Sequence, residues 1–303
     1  MSTATGWRVW WVGARPRTLG AGLVPVLVGT AAAGDVVWWR FAAALLVAGG
    51  LQIGVNFAND YQDGIRGVDT DERQGPPRLT SSGSASPRAV LVAALVSIGV
   101  AAVAGLALAV ATTLWLIPIG AAAMLALWLY SGGPRPYGSL GLGEVMVFVF
   151  FGLMATVGTA YVQAERIPAA AWWSATAMGF LAVAILEANN LRDISTDGAA
   201  GKRTLAVRLG DRRARALYRA LVAAAFATIV LGVAIGIADA GYGLSQWALL
   251  ALAAWPLAIG PVDAVGSAEG RALVPVLVGT AQLQLAFGAL LALGLWLATS
   301  AAT

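Results

Sequence analysis

Among its 303 residues the sequence has no cysteine, no histidine and a single lysine, Lys202. Without a thiol there is no disulfide, thiolate nucleophile, haem thioether, or Cys-ligated zinc or iron–sulfur site. Without imidazole there is no His-based triad, His-held metal or His proton relay. Chemistry must come from Asp, Glu, Arg, Lys, Tyr, Ser, Asn or a hard cation. Charge is scarce too: 19 basic and 15 acidic residues make 11% of the chain, where soluble domains carry about a quarter. Apolar residues fill that gap at 59% of the chain, enough for roughly nine membrane-spanning helices of ~20 residues. A water-soluble globule is excluded. The net charge of +4 on so hydropathic a chain records topology, and no nucleic-acid partner is expected.

Apolar runs punctuated by Gly, Pro and charge fall at about 18–34, 41–58, 89–111, 113–130, 142–162, 171–190, 216–237, 244–262 and 274–299. They predict an all-α polytopic protein with about nine transmembrane helices in one bundle, a single domain over residues 1–303. The first run, preceded by Arg15 and Arg17 and ending Ala31-Ala32-Ala33, also fits a signal peptide. With the N-terminus inside, 17 of the 19 basic residues fall on the inner side and only Arg40 and Arg166 outside. The positive-inside rule then predicts a cytoplasmic N-terminus in a plasma (inner) membrane protein.

Two polar loops, about 59–88 and 190–215, open with similar clusters after the second and sixth runs. The first reads Asn59-Asp60-Tyr61-Gln62-Asp63-Gly64-Ile65-Arg66 and continues to Asp69 and Asp71. Helical spacing puts Asn59 and Asp63 on one face, continued up the span by Asn56 and Gln52. A polar stripe on a lipid-embedded helix faces the bundle interior. In the second cluster Glu187, Asn190, Asp193 and Asp197 share one helical side. Both clusters sit at helix C-termini, where the macrodipole is negative and carboxylates need a cation. Oxygen-only ligand sets suit Mg²⁺, with Mn²⁺ or Ca²⁺ behind it. With Arg66, Arg73, Arg78, Lys202 and Arg203 near them, the clusters describe a pocket for a metal-bridged polyanion such as diphosphate. An ion-coupled secondary transporter is the reading from a different class, with Glu187 its best residue.

The paired Asp-rich loops resemble those of UbiA-type intramembrane prenyltransferases. Within that family, Asn59-Asp60-Tyr61-x-Asp63-Gly64-x-Arg66-Gly67-x-Asp69, then Gly75-Pro76-x-Arg78-Leu79-Thr80-x-Ser82-Gly83, is similar to the branch that prenylates 1,4-dihydroxy-2-naphthoate. So is Asn190-Leu191-Arg192-Asp193-x-x-x-Asp197 with Gly201-Lys202-Arg203-Thr204. Arg15-Pro16-Arg17 and Gly141-Leu142-Gly143-Glu144 extend the likeness over nearly the whole chain. Where the general family pattern has an Asp, this chain has Gly67, and the next carboxylates are Asp69 and Asp71.

The resemblance implies Mg²⁺-dependent transfer of a polyprenyl group from polyprenyl diphosphate to 1,4-dihydroxy-2-naphthoate, with loss of CO₂ and formation of demethylmenaquinone. Acceptors such as a hydroxybenzoate or a sugar phosphate are the alternatives. The site would face the cytoplasm, capped by the two loops, with the tail in an apolar groove open to membrane lipid. Asn59, Asp60, Asp63, Asn190, Asp193 and Asp197 are expected to hold the metal directly or through water, the four carboxylates being the catalytic groups. Arg66, Lys202 and Arg203 are expected on the diphosphate, Arg78 on the acceptor carboxylate, and Arg17 and Arg135 as further anion binders. Tyr61, Tyr130 and Tyr137 would flank the allylic cation or orient the acceptor.

Overall fold

The computed structural model describes residues 6–67 and 78–301, apart from the side chains at positions 17 and 18. Asp69, Asp71 and Arg73, and the side chain of Arg17, therefore lie outside the described residues. A short helix α1, Trp7–Ala14, precedes α2 (Pro16–Ala33), α3 (Trp38–Arg66), α4 (Pro87–Ala111) and α5 (Leu116–Ser131). After a 3₁₀ turn at Tyr137–Leu140 comes α6 (Gly143–Ala164), which passes through a π-helical turn at Phe148–Met154. Then follow α7 (Ala169–Arg192), the short α8 (Ile194–Ala199) and α9 (Leu205–Leu209), α10 (Asp211–Ala238), α11 (Gln246–Ala264) and α12 (Gly270–Ser300).

Among the described residues seven helices, α3, α4, α6, α7, α10, α11 and α12, are long and apolar enough to cross a membrane. The two shorter apolar segments, Leu19–Ala33 in α2 and Leu116–Ser131 in α5, occupy the two remaining runs. The sparse link between the third and fourth runs is a true break: α4 ends at Ala111, and the Thr112 hydroxyl donates back to the Leu108 carbonyl at 2.7 Å. The segment that also fits a signal peptide, α2, packs against α6 and α12 inside the bundle.

The centre of the bundle is α7, with 61% of its apolar stretch buried. Many of its inward positions are small: Ala171, Ala175, Ala177, Ala184 and Ala188 are fully enclosed, alongside the larger Met178, Leu181 and Leu191. Lipid supplies no hydrophobic drive between helices, so close backbone approach over small residues provides the packing. One such approach is α6 on α7, where a Cβ added to Gly152 would lie 2.5 Å from the Gly179 Cα. At the rim α4 has 22% of its stretch buried and turns Val92, Val96, Val103 and Val110 outward.

Candidate active site

A cavity of about 1640 Å³ runs between α2, α3, α5, α6, α7 and the start of α12. Along α3 its lining falls at Ala44, Val47, Ala48, Leu51, Gln52, Val55, Asn56, Asn59, Asp63 and Arg66, the three-and-four spacing of one helix face. That face grades from methyl groups to amides to charge. α7 adds Ala182, Ile185 and Leu186 below Asn189, Asn190 and Asp193, so both polar clusters meet at one end of the cavity and hydrocarbon lines the other.

The loops at the polar end are tied to one another. Asp60, 3% exposed, accepts the backbone N–H of Leu79 at 2.7 Å and of Thr80 at 2.9 Å. This fastens the turn that carries Arg78 onto the end of α3. Arg78, itself buried, donates to the Asp63 carboxylate. A Cβ on Gly64 would lie 2.4 Å from Thr80 Cγ2, so the turn seats only against glycine there. On the other side the Arg203 N–H donates to the Ser139 carbonyl at 2.9 Å, joining the loop after α8 to the 3₁₀ turn at Tyr137–Leu140. Tyr137 and Tyr130 then meet edge to face, ring centroids 5.5 Å apart, and both line the cavity. Burial pushes the Tyr137 phenol up to about 12, so it is a neutral hydrogen-bond donor at physiological pH.

The carboxylates at the cavity each hold a cation. Asp63 pairs with Arg78, Asp193 with the adjacent Arg192, and Asp197 with Lys202 at 3.4 Å. Asn59 accepts from the Ser131 hydroxyl at 2.7 Å. Asn190 donates its amide N–H to Glu144 at 2.8 Å, which orients its carbonyl oxygen. Among the described residues no three carboxylates gather into a ready-made metal cage. The donor set still fits Mg²⁺, which takes one or two carboxylates plus substrate phosphates rather than an all-protein shell.

The pattern of the UbiA prenyltransferase family matches residues 22–267. The chain belongs to that family. Over 276 residues it is 49% identical to the 1,4-dihydroxy-2-naphthoate octaprenyltransferase of Mycobacterium tuberculosis, covering 89% of this chain and 91% of the relative. The bundle superposes on the apo structure of a UbiA homolog from Aeropyrum pernix K1 with a TM-score of 0.65 at 18% identity, covering 93% and 97% of the two chains. A UbiA homolog from Archaeoglobus fulgidus bound to GPP and Mg²⁺ gives 0.55 at 17% identity, over 93% and 99%.

Within this UbiA bundle Asn59, Asp63, Arg66, Arg78, Tyr130, Tyr137, Asn190, Asp193, Asp197 and Lys202 all line the cavity. Other expectations need correcting. Asp60 lies behind the lining, both its oxygens engaged by the turn it fastens. Tyr61 packs into the apolar cluster of α3, α4 and α5. Arg135 and Arg203 are exposed on their loops and do not line the cavity. Arg66 lines it, but spends its guanidinium on the Ser131 and Gly133 carbonyls at the end of α5. The second cluster is not one continuous helical stripe: α7 ends at Arg192, and Asp197 belongs to α8. Glu187 is fully buried away from the cavity. Three cavity-lining cations went unassigned: Arg15, Arg192 and Arg271. Arg192 stands inside the second motif and Arg271 is the sole cation of its loop, signals the sequence does carry.

Proposed function

We propose that this chain transfers a polyprenyl group from polyprenyl diphosphate to 1,4-dihydroxy-2-naphthoate, releasing CO₂ and giving demethylmenaquinol, the reduced form of demethylmenaquinone. The observation that carries this reading is the graded cavity: carboxylates, amides and cations at one end open directly into a long apolar lining, as a diphosphate on a hydrocarbon tail requires. The name of the M. tuberculosis relative supports the naphthoate as acceptor.

Asp63, Asp193 and Asp197, with the amide oxygens of Asn59 and Asn190, would hold Mg²⁺, a metal that the A. fulgidus homolog binds together with GPP. Bound there, the metal supplies neutralisation of the charge that builds on the leaving diphosphate. Lys202 and Arg192, exchanging carboxylate partners for phosphate, bind the diphosphate oxygens together with Arg271. The C–O bond to diphosphate breaks with its electron pair on the leaving group. The allylic carbon then bonds to the ring, and the carboxylate departs as CO₂, returning its pair to the aromatic system. The faces of Tyr130 and Tyr137 stabilise the transient allylic charge, and the apolar walls exclude the water that would quench it. Arg78, with Ser81 and Ser82 beside it on the turn, holds the acceptor carboxylate. The polar end faces the cytoplasm, in keeping with the distribution of basic residues.

Purified protein with Mg²⁺, octaprenyl diphosphate and the naphthoate should give the prenylated, decarboxylated mass, and Arg78→Leu should raise KM for the naphthoate more than for the donor. Equal turnover of 4-hydroxybenzoate, with no CO₂ released from the naphthoate, would overturn the acceptor assignment.

A further inference from the structure

The two aspartate-rich loops are not the only segments at the polar end of the cavity. The turn between α11 and α12, residues 265–273, brings Arg271 to it. After an extended Glu269, Gly270 takes φ +51°, the left-handed region that favours glycine. There α12 begins, and Arg271, Val274, Leu277 and Val278 fall on the face of it that lines the cavity. Arg271 heads that face. Arg78, Arg192 and Lys202 each hold a carboxylate and Arg66 holds two carbonyls. Arg271, by contrast, has no hydrogen bond or ion pair among the described residues.

The turn is held from α10. Arg215, 9% exposed, donates through Nη1 to the Val265 carbonyl and, at 2.8 Å, to the Ala268 carbonyl, and through Nε to Asp211 at 2.7 Å. Carbonyls at the end of a helix have no helical N–H to meet, and a guanidinium there also faces the negative end of the α11 dipole. One turn further along α10, Arg219 donates to the Val262 carbonyl at 3.3 Å. A Cβ on Gly266 would lie 2.6 Å from Arg219 Nη2, so the turn lies close against that side chain. On the other side of Arg271 the Tyr218 and Thr280 hydroxyls meet at 2.6 Å, both fully enclosed. Helix α10 thus grips the chain before and after Arg271, and its first residue, Asp211, ends the stretch that carries Asp197 and Lys202.

We infer that the 265–273 turn is a third clamp on the donor diphosphate, with Arg271 its binding group and Arg215 the positioning residue that aims it. The inference rests on the prenyl-transfer reading above. Diphosphate must displace a carboxylate to reach Arg192 or Lys202, but it reaches Arg271 without exchange, and the planar guanidinium can serve two phosphate oxygens at once. The start of α12 packs against α7, the helix of Asn190 and Arg192, while Arg78 rides on the turn fastened to α3. That placement puts Arg271 on the donor side of the site, away from the naphthoate carboxylate. Arg215 touches neither substrate; it sets where Arg271 stands.

A double-mutant cycle tests this. KM for octaprenyl diphosphate and for 1,4-dihydroxy-2-naphthoate, and inhibition by inorganic diphosphate with Mg²⁺, are measured in the full chain carrying Arg271→Gln, Arg215→Gln or both. Each single variant should weaken donor and inorganic diphosphate about tenfold or more, as loss of a hydrogen bond to a charged group does, and leave the naphthoate KM near wild type. The double variant should be no worse than Arg271→Gln alone, because residues acting as one unit are not additive; a general loosening of the fold would add to the loss instead. Arg213→Gln, the same charge change at an exposed position of α10, should match wild type. If Arg215→Gln does not fold, Arg215→Lys, which keeps the charge without the planar fork, takes its place in the cycle. A wild-type donor KM in Arg271→Gln, an equal rise in the naphthoate KM, or a double variant whose loss is the product of the single losses would overturn the clamp while leaving prenyl transfer standing. Failure of the wild type to transfer from any polyprenyl diphosphate would remove both.

Discussion

Asp60→Asn is the most informative single substitution, because Asp60 was expected to hold metal and instead fastens a turn. Its two oxygens accept the Leu79 and Thr80 amides at 2.7 and 2.9 Å in a buried setting. Hydrogen bonds to a charged group contribute ~1.5–3 kcal/mol each, and asparagine keeps one of them as a neutral bond of ~0.5–1.5 while turning an NH₂ toward the other amide. The local loss is about 2–4 kcal/mol, which corresponds to roughly 30- to 700-fold more frequent opening of the turn. Hydrogen exchange read by mass spectrometry on a peptide covering 78–86 should therefore accelerate at least tenfold in Asp60→Asn and not in Asp193→Asn. Because the turn carries Arg78, the naphthoate KM should rise with it. If the amides at 79 and 80 exchange at the wild-type rate in the variant, Asp60 does not hold the turn.

Asp63→Asn, Asp193→Asn and Asp197→Asn should each lower kcat at least a hundredfold, and EDTA should abolish wild-type turnover; full activity in any two variants, or in metal-stripped enzyme, refutes the metal–diphosphate site. With no native cysteine to interfere, single Cys residues at Ser82 and Ala199 should resist an impermeant thiol reagent in intact cells while one at Asp239 reacts; the reverse pattern refutes the cytoplasmic site. Gly152→Val should lower the melting temperature of the detergent-solubilised protein, since overpacking costs about 1–3 kcal/mol and the Gly179 backbone occupies the space. Gly99→Ala, whose Cβ would meet nothing within 4 Å, serves as the comparison, and equal melting of the two variants would refute close α6–α7 packing.

Much of the span pattern was legible, because a lipid solvent forces long apolar runs and the polar stripe from Gln52 to Asp63 had no favourable place except the interior. The order of burial was not. Helix α4 is the most hydropathic of the long helices and the least buried, while α7 is no more hydropathic than α3 and the most enclosed. Hydrocarbon lies on both sides of a membrane bundle's surface, so apolar character cannot tell a lipid-facing wall from the hub; the alanine run of α7 carried that signal instead. Asn59, Asp63 and Arg66 on α3 and Asn190 on α7 do line one cavity, since helical spacing fixes direction, while Asp60 and Tyr61 on the same α3 do not line it. On loops, Arg135 and Arg203 stood next to the right residues but point out to solvent, because turn geometry and not sequence proximity aims a side chain there. Asp60 was misassigned for a related reason: composition says that a carboxylate is near, not which of its neighbours will claim its oxygens.

The π turn of α6 acts as a phase correction. The cavity takes its wall from α6 at Met146 and Val147, Phe150 and Phe151, Met154 and Ala155, Gly158 and Thr159, then Val162, a strict step of four. A regular α-helix advances ~100° per residue and would rotate ~160° off that line over those 16 positions, carrying the far half of the wall round toward lipid. The wider turn at Phe148–Met154 unwinds that drift and keeps the stripe straight from the polar end of the cavity to Val162. Such a turn is one residue more than an α-helix needs. Deleting Phe150 would therefore let α6 relax to regular geometry with the two ends of the wall within ~60° of their present phase, whereas relaxing the turn to α geometry at constant length would rotate Met146 ~160° out of step with Val162, separating the two ends of the site without unfolding either.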